Sequence, residues 1–214
     1  MQFFLDTANI AEIRAARAWG LLDGVTTNPT LMAREGGDWR AVMRDICREV
    51  EGPVSLEAVG ETADEFIAMG LDLMRNGPNV VVKIPMTPEG LKAVRVLKSK
   101  GVDTNVTLIF SPMQALLAAK AGASFVSPFV GRLDGLSQDG MQLVADIMAI
   151  LRNYAMDARV IVASVRHPRH VAEAALMGAH VATVPFAVLR QMFDHPLTSA
   201  GLETFNKDWA ALNG

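Results

Sequence analysis

Short apolar runs alternate with longer stretches of helical hydrophobic spacing from one end of the chain to the other. The runs predict strands at Phe3–Asp6, Gly24–Asn28, Val54–Val59, Asn79–Pro85, Asp103–Ile109, Phe125–Val130, Arg159–Ser164 and Val181–Phe186. Between them, apolar residues recur every three or four positions. Leu91, Val94 and Leu97 form one stripe, and Met141, Val144, Ile147, Met148 and Leu151 form another. Glycine or proline marks many joints, as at Gly52-Pro53, Gly77-Pro78, Gly101, Gly122 and Gly178. Strand–helix alternation predicts parallel pairing. Eight such units in 214 residues is the count that closes an α/β (β/α)8 TIM barrel; a doubly wound open sheet is the structural alternative. No Ser-, Gly- or Pro-rich linker divides the chain, so one domain over residues 1–214 is expected. Residues 198–214 follow the eighth unit as a C-terminal helical extension, with Leu202, Phe205, Trp209 and Leu212 along one face. That face either packs on its own barrel or covers a neighbouring subunit.

One position breaks the apolar pattern. The segment Asn79-Val80-Val81-Val82-Lys83-Ile84-Pro85 reads as a strand buried on both faces, except for Lys83. Burial disfavours a lysine's charged form and yields a neutral amine able to attack a carbonyl. Pro85 ends the strand, which places Lys83 near its C-terminal end, where such folds hold ligands. The ordinary alternative is a lysine paired with a buried carboxylate, or one snorkelling out at an edge.

The other strands carry polar residues at the same end. Side chains at i and i+2 share a face, so Asp6 lies with Phe4, Glu57 with Ser55, Asn105 with Thr107, and Ser127 with Phe129. Ser164 closes the seventh strand and Arg166 lies just beyond it. Singly, each has a plain explanation: Asp6-Thr7-Ala8-Asn9 could cap a helix, and Asn28-Pro29-Thr30 could be a turn followed by a cap. As a set they exceed what an apolar core can satisfy, and they converge on the expected barrel mouth. Arg132 and Arg166 follow strands six and seven, beside Ser164, where barrels commonly bind phosphate; two guanidinium groups and a hydroxyl suit that anion.

Composition narrows the function further. Net charge is −3, with the two signs dispersed, which argues against a nucleic-acid partner. The single cysteine, Cys47, excludes an intramolecular disulfide framework and any CxxC motif, and fits a reducing cytoplasm. The N-terminal Met1-Gln2-Phe3-Phe4-Leu5-Asp6 lacks the basic region of a signal peptide, and no apolar run approaches the ~20 residues that span a bilayer. A cytoplasmic enzyme without membrane association is expected. Dinucleotide, P-loop, hydrolase-elbow and zincin motifs are absent. His167 and His170 lie three apart, but with no third ligand in view they do not make a metal site. No metal or cofactor is expected, and imine chemistry through an amine fits the polar set better.

Three segments resemble the transaldolase family in its short, single-domain form: Gly24-Val25-Thr26-Thr27-Asn28-Pro29-Thr30-Leu31-Met32, the stretch Val81 to Leu91 around Lys83, and Ser127-Pro128-Phe129-Val130-Gly131-Arg132. The resemblance runs essentially the full length. It implies a class I aldol-transfer barrel in which Lys83 forms an imine with a ketose and Asp6 serves as general acid/base. Glu57 and Thr107 would hold the proton-shuttling water. Thr26, Asn28, Asn105, Ser127 and Phe129 would line the pocket for the three-carbon unit, and Arg132, Ser164 and Arg166 would bind phosphate. The substrates implied are sedoheptulose 7-phosphate, glyceraldehyde 3-phosphate, fructose 6-phosphate and erythrose 4-phosphate of the pentose phosphate pathway. The related fructose-6-phosphate aldolases typically carry glutamine at the place of Glu57 and tyrosine at that of Phe129, so both positions read as transaldolase. A homo-oligomer, pentamer or decamer, is also implied. The alternatives are a fructose-6-phosphate aldolase that releases free dihydroxyacetone and, more remotely, a non-catalytic sugar-phosphate binding protein.

Overall fold

The computed structural model describes residues 1–212. All eight expected strands form: β1 Gln2–Asp6, β2 Gly24–Thr26, β3 Val54–Glu57, β4 Val80–Pro85, β5 Thr104–Ile109, β6 Phe125–Pro128, β7 Arg159–Val162 and β8 Val181–Val184. Each pairs in parallel with its sequence neighbours, and β8 returns to β1, closing the barrel. The open doubly wound sheet is thereby excluded.

Five strands, β2, β3, β6, β7 and β8, stop two residues short of their expected C-terminal ends. Ladder hydrogen bonds run one residue further, as in Thr27 N–H to Ser55 O at 3.0 Å and Ala58 N–H to Lys83 O at 2.8 Å. The chain then turns outward. After β2, Asn28 leaves the ladder to cap helix α2 (Pro29–Glu35), its side chain accepting the Leu31 N–H at 2.9 Å. After β7, Ser164 takes a left-handed φ of 59°, which ends pairing. These early exits leave the ends of the strands free to form the mouth.

Alternation sorts side chains into two apolar compartments. Outward-facing Val25, Val54, Leu56, Val82, Ile84, Val106, Val126 and Val160 pack beneath the surrounding helices, among them α1 (Ile10–Ala18), α3 (Trp39–Glu49), α4 (Ala63–Leu73), α5 (Pro88–Ser99) and α6 (Pro112–Ala121). The buried positions of α5 are Gly90, Ala93, Val94 and Leu97; Leu91 is only partly covered. Inside the barrel, Phe4, Val81, Phe125, Ile161 and Val181 form a separate plug, each contributing about 1.5–3 kcal/mol by leaving water. Arg159 closes the plug from below: its guanidinium lies 5.5 Å from the Phe125 ring centroid and donates to Gln2 Oε1 at 2.7 Å. The lower barrel is therefore full, and space remains only above the plug.

Beyond β6 lie α7 (Val130–Asp134) and α8 (Gly140–Asn153); beyond β7 lies α9 (Pro168–Leu176); beyond β8 lie α10 (Phe186–Gln191) and α11 (Pro196–Leu212). The C-terminal helix thus begins two residues earlier than expected, and residues 213–214 of the anticipated extension lie outside the described residues. No residue of α11 is buried. Among the described residues no helix is long and apolar enough to cross a membrane.

Candidate active site

The strand register decides which polar groups meet. Glu57 on β3 pairs with Lys83 on β4, and Lys83 pairs with Asn105 on β5. These three inward-facing side chains therefore stand side by side, one layer above the apolar plug. Lys83 Nζ lies 3.0 Å from Glu57 Oε2 and donates to the Thr27 carbonyl at 2.6 Å. Its side chain is only 7% exposed. The paired-lysine reading from the sequence is the one the geometry shows. The lysine has a carboxylate partner, and it also stands at the floor of a cavity, so the solitary amine expected from burial alone is corrected to an amine–carboxylate pair.

Asp6 enters the same layer from β1. Its Oδ1 accepts from Thr26 Oγ1 at 2.9 Å, and Thr26 Oγ1 lies 2.6 Å from Thr183 Oγ1. With Thr26 donating to the carboxylate, Thr183 must supply the proton in the second bond, giving a chain Thr183→Thr26→Asp6. Desolvation deep in the well pushes the Asp6 carboxyl above the ordinary aspartate value, and the Glu57 charge adds to this. The Lys83 charge and the Thr26 hydrogen bond pull the other way without cancelling it. Helix capping does not explain Asp6: the α1 cap is Asn9, whose Oδ1 accepts from the Ala11 and Glu12 N–H groups. Asn28, by contrast, does cap, and it also lines the cavity.

A second polar chain crosses β3, β5 and β6. Ser127 Oγ donates to Asn105 Oδ1 at 2.7 Å, and Asn105 Nδ2 donates to Ser55 Oγ at 3.1 Å. All three are buried, so the Asn105 amide is locked in orientation. Thr107, two residues further on, is buried with no hydrogen-bond partner for its hydroxyl among the described residues. It faces inward with Asn105 by alternation, and just beyond it β5 is irregular: its register with β6 shifts between Val106 and Ile109, where Leu108 has φ 60°. A left-handed leucine is costly, and such strain concentrates where a site requires it.

The cavity above this layer measures about 500 Å³. Asp6, Thr26, Asn28, Glu57, Lys83, Asn105, Thr107, Ser127, Phe129, Arg132, Ser164 and Arg166, the whole set singled out in the sequence, line it. At the rim, Phe129 meets Phe110 edge-on at 5.9 Å and carries the Arg132 guanidinium 5.0 Å from its ring centroid. Neither Arg132 nor Arg166 makes an ion pair among the described residues, whereas Arg14, Arg40 and Arg169 on the outer surface do.

The model of the transaldolase/fructose-6-phosphate aldolase family matches residues 3–214. The chain belongs to this family. It is 62% identical over 212 residues, 99% of each chain, to a protein of Maridesulfovibrio salexigens named probable transaldolase. It is also 61% identical over 209 residues to one of Aquifex aeolicus with the same name, covering 98% of this chain and 96% of the relative. A solved structure from Coccidioides immitis, named as a fructose-1,6-biphosphate aldolase, superposes with a TM-score of 0.59 at 16% identity, covering 92% of this chain and 81% of that one; this likeness concerns the barrel fold alone. The protein is accordingly an enzyme of the transaldolase/fructose-6-phosphate aldolase family.

In this family member three of the cavity residues that the sequence did not single out bear on the site: Thr183, Leu108 and Arg34. Thr183 is the one polar residue in Val181-Ala182-Thr183-Val184, the same signal that marked Lys83, and could have been found. Leu108 and Arg34 gave none: one depends on a backbone irregularity, the other on how α2 leans over the mouth. The histidine pair also needs correction. His167 and His170 do have a third potential ligand close by, Asp134, with their ligand atoms within 4.8 Å of one another.

Proposed function

We propose that the protein is a transaldolase, working in the cytoplasm on phosphorylated sugars. The observation that carries this reading is the Lys83–Glu57 pair at the floor of a cavity whose rim holds two arginines with no carboxylate partner among the described residues. Transfer of a proton from Lys83 to Glu57 would free the amine, which adds to the ketose C2 carbonyl; loss of water from the carbinolamine gives the iminium. Thr107, with its unsatisfied hydroxyl, and Glu57 are the groups to hold that water. Asp6 takes the C4 hydroxyl proton as the C3–C4 bond breaks, and the bond's electron pair moves into the iminium to form an enamine. The aldose phosphate leaves. The enamine then attacks the acceptor aldehyde, Asp6 returns its proton to the new hydroxyl, and hydrolysis of the imine releases the ketose. A carboxyl held above the ordinary range suits this alternation of acid and base. The Asn105 and Ser127 amide and hydroxyl, with Thr26 and Asn28, would hold the bound three-carbon unit, while Arg132, Ser164 and Arg166 take the phosphate.

Phe129 favours transfer over release. It offers no hydroxyl to protonate the enamine, and its ring is engaged by Phe110 and Arg132. The test is glyceraldehyde 3-phosphate release from fructose 6-phosphate, with and without erythrose 4-phosphate. Product that depends on the acceptor supports transaldolase; similar rates without it would mean an aldolase. Borohydride trapping with fructose 6-phosphate should label Lys83, and absence of an adduct would leave only sugar-phosphate binding. The exposed apolar face of α11 is the surface through which we propose that copies of the chain assemble, as a pentamer or decamer.

A further inference from the structure

The two rim arginines belong to different segments. Arg132 sits on the short helix α7, and Arg166 on the loop between β7 and α9. Two backbone bonds already join these segments near the barrel: Val130 N–H to Ala163 O at 3.0 Å, and Gly131 N–H to Ser164 O at 3.1 Å. Gly131 lacks a side chain of necessity, since a Cβ there would lie 2.2 Å from Ser164 O and 2.5 Å from Arg166 Cγ. A third link lies behind the arginines, away from the cavity, and no catalytic step uses it. His170, buried on the first turn of α9, bridges the two segments through both ring nitrogens. Its Nδ1 accepts the Arg166 backbone N–H at 3.3 Å, and its Nε2 lies 2.7 Å from Asp134 Oδ2 at the end of α7. The other Asp134 oxygen accepts the N–H of Gly140, the first residue of α8, at 3.0 Å.

The tautomer follows from these partners. A backbone N–H can only donate, so Nδ1 presents its lone pair and the ring proton resides on Nε2, donated to Asp134. Burial and the neighbouring His167 hold His170 below its ordinary value, against the pull of Asp134 and Glu173, consistent with the neutral ring.

We propose that His170 and Asp134 are a positioning pair that fixes the Arg132 and Arg166 segments relative to each other and thereby sets the enzyme's affinity for the phosphate of its substrates. Neither residue lines the cavity, so the pair acts through the arginines. The inference rests on the phosphate role assigned to Arg132 and Arg166 above.

The test compares His170→Leu, which removes both links, and Asp134→Asn, which keeps size and an acceptor oxygen, with Arg166→Ala. Three quantities are read: KM for fructose 6-phosphate, Ki for inorganic phosphate as a competitive inhibitor, and the rate of borohydride trapping of dihydroxyacetone on Lys83. His170→Leu is expected to raise KM and Ki together by about tenfold, the scale on which supporting contacts act, with dihydroxyacetone trapping within about twofold of the parent. Asp134→Asn should shift the same two constants in the same direction by a smaller factor, and it reads the link even where the leucine variant folds poorly. Equal losses in KM, Ki and trapping would reduce the pair to a structural role and overturn the proposal. Unchanged KM and Ki in both variants, with Arg166→Ala raising them, would overturn it while leaving the phosphate site standing. Unchanged constants in Arg166→Ala would remove the phosphate reading itself.

Discussion

Asp6 illustrates how a residue can serve chemistry at a cost to the fold. Its carboxyl is held above the ordinary aspartate value in the folded chain, so the native state binds that proton more tightly than the unfolded state does. Stability from this group therefore falls as pH rises from the ordinary aspartate range to the folded value, and above that window the penalty is constant. Asp6→Asn is expected to raise the melting temperature at pH 7 while removing turnover. The gain should shrink toward about pH 3, where the parent carboxyl is protonated in both states. Differential scanning calorimetry at the two pH values checks the sign, and a melting temperature lowered at pH 7 would contradict it. Phe129 makes the complementary case. Phe129→Tyr keeps the ring under Arg132 but adds a hydroxyl at the mouth, and it should raise direct cleavage of fructose 6-phosphate relative to transfer by about a hundredfold, the lower end of what a positioned acid contributes. An unchanged ratio of the two rates would count against the proton-donor account.

At the scale of elements, the inward layer of the barrel has almost no slack. Gly24 faces Phe4 across the β1–β2 pair, and a Cβ at Gly24 would lie 2.6 Å from the Phe4 ring and 2.7 Å from the Pro53 carbonyl oxygen. The ring cannot retreat, since Phe125 lies 6.4 Å away and the plug is closed below by Arg159. Gly24→Ala should therefore destabilise the protein by about 1–3 kcal/mol, measured by urea unfolding. Because Thr26 sits two residues up the same strand, any shift of β2 also disturbs its bond to Asp6. Strand existence was plain in the sequence because Val- and Ile-rich runs announce themselves. Strand ends were less so: β2, β3, β6, β7 and β8 stop early, and the left-handed turn at Ser164 that follows β7 has no signal in the local sequence. The residues that bend away are the ones the cavity uses.

At the scale of the molecule, two surfaces differ sharply. Cys47 is buried, and desolvation pushes its thiol up to about 11, so it remains protonated and unreactive at neutral pH. Helix α11 is the opposite. Leu197, Leu202, Phe205, Trp209 and Leu212 are all at least half exposed along a helix of about 25 Å. Such a stripe is unfavourable in water unless a partner covers it. Phe205→Glu is expected to lower the assembly mass measured by light scattering while leaving far-ultraviolet circular dichroism unchanged. A mass equal to one chain in the parent protein would dispose of the assembly proposal.

The sequence by itself determined the eight alternating strand–helix units and most of the residues that line the site; closure of the sheet was seen only in the structure. Periodicity of 2 against 3.6 separates strands from helices, eight alternating units leave little choice of topology, and a polar residue in an apolar strand has few places to go. The residues marked on that basis, together with Thr26 and Phe129, which the family resemblance added, line one cavity. Tertiary structure alone decided the partnerships. The Glu57–Lys83 pair exists because of the β3–β4 register, the Thr183–Thr26–Asp6 chain because β8 closes onto β1 and β1 pairs with β2, and the Asp134–His170–Arg166 bridge because the end of α7 meets the first turn of α9 at His170. Side-chain contacts between residues 20 to 157 positions apart leave no local trace in a sequence. Position along a strand names the candidates, but only barrel closure and register bring their atoms within reach of one another.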